Sequence, residues 1–170
     1  NEDVVLGDDH RLDRRARDDR AVYYAEGRYK RAQREYQKAL KLTPESASVY
    51  SNLGTAYFAR NKFEKASQAY LTALQLDPNV FDHKGGTGTL LQERSVADRM
   101  KYHYFMAEAY AKSEIFDKAL VYLRRAFEEG FSDRGKVLRE KAFEPLYGIA
   151  EFRMLVDPEG KVLAEQQASN

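Results

Sequence analysis

The fold turns on the stretch Ala47–Val80, ASVYSNLGTAYFARNKFEKASQAYLTALQLDPNV. In its first half Tyr50, Leu53, Gly54, Tyr57 and Phe58 recur at helical spacing, and in its second Ala66, Ala69, Tyr70, Ala73 and Leu74 do the same. Only the short polar run Arg60-Asn61-Lys62 separates them, so the two helices must fold back as antiparallel neighbours. Gly54 and Ala66 lack bulk and let the axes approach, while Tyr57 and Tyr70 fill the space beside them. Pro78 cannot continue a helix and disfavours helical geometry at Asp77, which stops the second helix there.

Counted from Ala47 as position 1, Tyr50, Leu53, Gly54 and Tyr57 stand at positions 4, 7, 8 and 11, and Ala66, Tyr70, Ala73 and Pro78 at 20, 24, 27 and 32. Along its whole length the window resembles a tetratricopeptide repeat. The resemblance implies an all-α, right-handed superhelical solenoid of antiparallel helix pairs, and work of one class: binding.

Neighbouring stretches carry the same pattern. Residues 13–46 form a first copy, with Tyr23, Gly27, Ala32, Tyr36, Ala39 and Pro44 in place. Its first helix departs at positions 7 and 8, where Asp19 and Arg20 replace the leucine and small residue, inside the charged run 13–20. That run suits a solvated capping helix, an electrostatic contact surface, or a helix set against another copy of the chain. A third copy spans about 96–131, with Met106, Ala107 and Tyr110 at positions 7, 8 and 11 and Ala119, Leu123 and Ala126 at 20, 24 and 27. Ser95 with Asp98 predicts its start and Gly130 its end. Two shorter apolar-periodic stretches within 133–156 predict capping helices, with Pro145 at a first helical position. They resemble a tail common after bacterial repeats of this family. One domain is therefore expected over 11–156, between a mobile arm at 1–10, which could also serve as a docking strap, and a polar tail at 157–170.

Composition limits the alternatives. The 170 residues are 43% hydrophobic and 32% charged, with a net charge of +1. A near-neutral chain lacks the basic excess of a nucleic-acid footprint. No apolar run approaches the length of a transmembrane helix. The absence of cysteine removes disulfides, thiol catalysis and Cys-based zinc sites. The compartment stays open between bacterial cytoplasm and envelope; the missing initial Met and the lack of Cys favour the envelope.

Residues 81–95 interrupt the rhythm, and 84–89, Lys-Gly-Gly-Thr-Gly-Thr, superficially resemble a phosphate loop. They lack the terminal Gly-Lys-Ser/Thr and a preceding strand, so a flexible loop at the groove edge is expected instead. His10, His83 and His103 lie apart in sequence, with His103 at a packing position. No catalytic residues, metal ligands or cofactor-binding residues are assigned, and a non-catalytic scaffold is expected.

The family resemblance implies a concave groove lined by the first helix of each pair. Carried over by position, its lining is Arg14, Arg17 and Tyr24 from the first copy, Ser51, Asn52, Thr55 and Phe58 from the second, and Lys101, Tyr104, Phe105, Glu108 and Lys112 from the third. Aromatic area mixed with basic and amide groups suits an extended peptide or protein segment. A chaperone-type carboxylate clamp is matched in part, at Arg17, Asn52 and Lys101, with Ala21 and Phe105 departing from it. The rival expectation is self-assembly into a homo-oligomer through the terminal helices.

Overall fold

The computed structural model describes residues 9–82, 95–160 and 163, with side chains from residue 26 onward. The stretch 83–94, with its glycine-rich run, and most of the expected arm lie outside the described residues. The observed elements are α1 (Asp9–Leu42), α2 (Ala47–Ala59), α3 (Phe63–Leu76), α4 (Val96–Lys112), α5 (Phe116–Glu128), α6 (Arg134–Arg139), a 3₁₀ turn (Lys141–Leu146) and α7 (Ala150–Val156). Each long helix packs on the next: α1 on α2, α2 on α3, α3 on α4 and α4 on α5. The chain is an all-α helical-repeat solenoid.

The α2–α3 hairpin forms as its residues require. Ser46 caps α2, its hydroxyl accepting from the Val49 N–H at 3.4 Å. The turn closes through Asn61, whose φ of 56° places it in the left-handed region, while the Lys62 N–H donates to the Tyr57 carbonyl at 2.9 Å. A Cβ on Gly54 would lie 2.6 Å from two carbons of the Tyr70 ring, so glycine is what lets the pair close. Ala66, Tyr70 and Ala73 are completely buried. Asp77 is extended and α3 ends one residue before it.

The α4–α5 pair repeats this plan, with Ala107 and Leu123 where α2–α3 has Gly54 and Tyr70. The Ser95 hydroxyl accepts from the Asp98 N–H at 3.1 Å to start α4. Glu114, at φ 59°, makes the turn, and the Ile115 N–H reaches the Tyr110 carbonyl at 2.9 Å. Gly130, at φ 103°, ends α5, and the Phe131 N–H returns to the Ala126 carbonyl.

The first copy corrects the expectation of a helix pair, because α1 is one unbroken helix of 34 residues. By the repeat spacing, Gly27 corresponds to the turn residue Asn61, yet the helix runs straight through it. Register gives the physical reason. Folding back would set the long side chain of Arg20 at the position that Gly54 and Ala107 hold in the two closed pairs, opposite Tyr36. The helix also begins at Asp9, so the last two residues of the expected arm are helical. From α1, Gln37 donates to the Tyr57 phenol at 3.0 Å, and Glu26 accepts from Arg60 at 2.7 Å.

Beyond α5 the chain closes the stack. Phe143, Leu146 and Phe152 are completely buried. Pro145 lies inside the 3₁₀ turn rather than at the start of a helix. The expected polar tail contributes to the core as well: Leu163 is buried, and its N–H donates to the Asp157 carboxylate at 2.9 Å.

His103 packs on Tyr102 and Tyr122, and its Nδ1 lies 2.9 Å from Glu129. Burial lowers its pKa from the ordinary 6.5, outweighing the upward pull of Glu129; nearby Arg125 and Arg99 push the same way as burial. A lowered folded pKa means the unfolded chain takes up the proton first as pH falls. The stability linked to His103 is therefore complete above 6.5 and is lost as pH drops from there through the folded value. Melting scans between pH 7.5 and roughly 5 should show this loss, and His103→Gln should remove its share of the slope. An unchanged slope would assign the dependence to other groups.

Candidate functional site

An open trough of about 990 Å³ lies between α3, α4 and α6. Phe63, at the first position of α3, and Phe105, on α4, form its apolar floor. Their rings stack at 5.8 Å with 22° between planes. Tyr104 supplies part of the wall, its ring stacked on Phe131 at 4.7 Å with the Lys136 ammonium 4.4 Å from its centroid. Lys101 adds a second cation 4.9 Å from the Phe63 centroid.

The rim is charged and asymmetric. Lys62, Lys65, Lys112, Lys136 and Arg139 line the trough against Glu64, Glu108 and Glu140, five basic groups to three acidic. Glu108 pairs with Lys112 one helical turn away, which leaves the basic side in excess. The Tyr104 phenol is buried and has no hydrogen-bond partner among the described residues. Burial, reinforced by Glu108, Glu140 and Asp133, pushes its pKa well above the ordinary 10. It therefore keeps its proton at neutral pH.

The groove residues expected from the sequence divide into four sets, the last being Phe58 alone. Tyr104, Phe105, Glu108 and Lys112 line the trough, and Lys101 lies beside it. Ser51, Asn52 and Thr55 do not line it. The Thr55 hydroxyl donates to the Ser51 carbonyl at 3.1 Å and lies 3.4 Å from the Tyr70 phenol. Asn52 is exposed on α2 and does not line the trough. The side chains of Arg14, Arg17 and Tyr24 lie outside the described residues.

Phe58 corrects the expected lining: it is completely buried, edge-on to Phe63 at 5.3 Å and to Tyr102 at 5.6 Å. The reason is that α4 stacks against the α2–α3 pair and covers that side of α2. Position-by-position transfer also missed Lys62, Phe63, Lys65, Lys136 and Arg139. They sit on a second helix of a pair and on a capping helix, where a rule about first helices does not look. The short run Lys62-Phe63-Glu64-Lys65, a lone aromatic among charges, was the available signal.

Among the described residues no three His, Cys, Asp or Glu side chains gather to hold a metal ion. No described helix is long and apolar enough to cross a membrane.

With helix pairs, left-handed turns and a glycine-tight seam established, comparison with known families decides the identity. A family model described as tetratricopeptide repeat matches residues 47–80, the α2–α3 pair. A second, described as TPR repeat, matches residues 21–59 across the α1–α2 junction. Residues 21–80 carry tetratricopeptide repeats. Neither a curated protein nor a solved structure matched the chain. The match across 21–59 pairs the second half of α1 with α2, the same interlocking of successive repeats that the packing displays. Tetratricopeptide repeats generally mediate protein–protein interaction.

Proposed function

We propose that this chain is a non-catalytic scaffold that captures an extended acidic peptide segment in the trough between α3, α4 and α6. The stacked Phe63–Phe105 floor inside a basic rim carries this reading. An apolar or aromatic side chain of the peptide covers the floor, and its carboxylates meet Lys65, Lys112, Lys136 and Arg139.

The test is a fluorescence-anisotropy titration with an acidic peptide carrying one central Phe, measured against the parent, Phe105→Ala and the pair Lys112→Glu/Lys136→Glu. Each variant is expected to weaken binding about ten- to a hundredfold, in line with loss of a central interface anchor. Circular dichroism and melting should stay near the parent, because both lysines sit on the rim and Phe105 is only half-buried. Binding that survives both changes would move recognition to another surface. Raising salt should weaken the parent more than the charge-reversed pair.

A further inference from the structure

The α3–α4–α6 trough calls for an apolar centre flanked by carboxylates, and one stretch of this chain has that order. Residues 1–8 read Asn-Glu-Asp-Val-Val-Leu-Gly-Asp, with three acidic side chains, no basic one and an apolar run from Val4 to Leu6. They lie outside the described residues, so only their sequence is used. Laid out as a strand, successive side chains alternate between two faces. One face then carries Glu2, Val4, Leu6 and Asp8: an acid, two aliphatic groups and an acid.

The trough offers the complement. Phe63 and Phe105, both half-buried, stack as its floor. Among the basic residues Lys112 is paired with Glu108, and Arg139 lies 3.9 Å from Asp133. Lys62, Lys65 and Lys136 on the rim, and Lys101 beside it, make no ion pair among the described residues.

The same copy cannot deliver this segment to its own trough. Gln37 meets Tyr57 and Glu26 meets Arg60, so α1 runs antiparallel to α2 and its N-terminal half projects past the α2–α3 turn. From Glu26 the helix continues unbroken to Asp9, which carries the chain about 25 Å beyond that turn. Val4 lies five residues before Asp9 and reaches back about 18 Å at full extension. It stops short of the turn, and the Phe63–Phe105 floor lies on the far side. A second copy is under no such tether.

We propose that the trough of one copy takes residues 2–8 of a second copy. Val4 and Leu6 lie over the Phe63–Phe105 floor, and Glu2 and Asp8 meet the lysines. This names the occupant of the site proposed above and rests on that reading of the trough. The chain thereby assembles through its own acidic segment, and the trough closes to other acidic peptides as its concentration rises.

Light scattering across a concentration series tests the assembly on the full chain. The parent should gain mass with concentration. Val4→Lys/Leu6→Lys and Lys65→Glu/Lys136→Glu should each keep the mass of one chain. Mixing the two variants should restore the mass of two chains, because an intact trough then meets an intact segment. A labelled peptide of residues 1–9, acetylated at its amino end, is titrated by anisotropy into the Val4→Lys/Leu6→Lys chain. Saturable binding that falls at least about tenfold on adding Phe105→Ala supports the second-copy occupant. Should Phe105→Ala fold poorly, Lys65→Glu/Lys136→Glu on the exposed rim reads the same loss. A parent that stays at the mass of one chain, association that survives Val4→Lys/Leu6→Lys, or a mixture that stays apart overturns it. The acidic Phe peptide described above is titrated alongside. If that peptide binds and residues 1–9 do not, the trough keeps its role and the second copy is overturned. If neither binds, both fall.

Discussion

Phe58→Ala is expected to destabilise the protein by about 3–5 kcal/mol, the range for removing a large aromatic side chain from a packed core. The ring is completely buried and contacts Phe63 and Tyr102 edge-on. It sits where α2, α3 and α4 meet, so its loss opens a cavity at the joint between the second and third repeats. Urea titration followed by far-ultraviolet circular dichroism reads the effect as a drop in midpoint. In a stacked protein the joint also carries cooperativity, so the transition should broaden as the repeats uncouple. A variant that melts like the parent would return Phe58 to an exposed face, where transfer from the family's groove positions had put it. The expectation bears on peptide binding too: loss of binding in Phe58→Ala would report unfolding, whereas Phe105→Ala tests the trough itself.

Gly54→Leu is the second large effect. A Cβ alone would stand 2.6 Å from the Tyr70 ring, and leucine adds three further carbons. The ring cannot easily move away. It is completely buried, with Phe81 edge-on at 5.6 Å and Tyr102 at 5.9 Å. The hairpin must spread, and overpacking of this kind costs about 1–3 kcal/mol or more. Gly54→Ala should lie lower in the same range, and the pair Gly54→Ala/Tyr70→Leu should recover much of the loss, because α4–α5 already closes with Ala107 and Leu123. Additive losses in that double variant would show that the two positions do not meet.

Much of the α2–α3 and α4–α5 hairpins was legible in the sequence because their determinants are local. Period, the turn at Asn61, the stop at Asp77, the Ser95 cap and the Gly130 exit each depend on residues within a few positions. The Gly54–Tyr70 contact was legible as well, since a hairpin fixes which positions face each other. The straight path of α1 was not. Gly27 holds the turn position of the pattern, and what would oppose a turn there is the meeting of positions 20 and 36, sixteen residues apart in sequence.

The trough shows the same division. The sequence by itself determined a stack of paired helices and offered Phe105, Glu108 and Lys112 as groove residues. Only the tertiary structure joined them to Phe63 and Lys65 of α3 and to Lys136 and Arg139 of α6. It alone sent Phe58 inward and drew Leu163 of the polar tail into the core. Helical period says which residues share a face, because that follows from 3.6 residues per turn. Which face is covered depends on the helix that stacks beside it, and that is settled by side-chain volume and charge meeting across the seam.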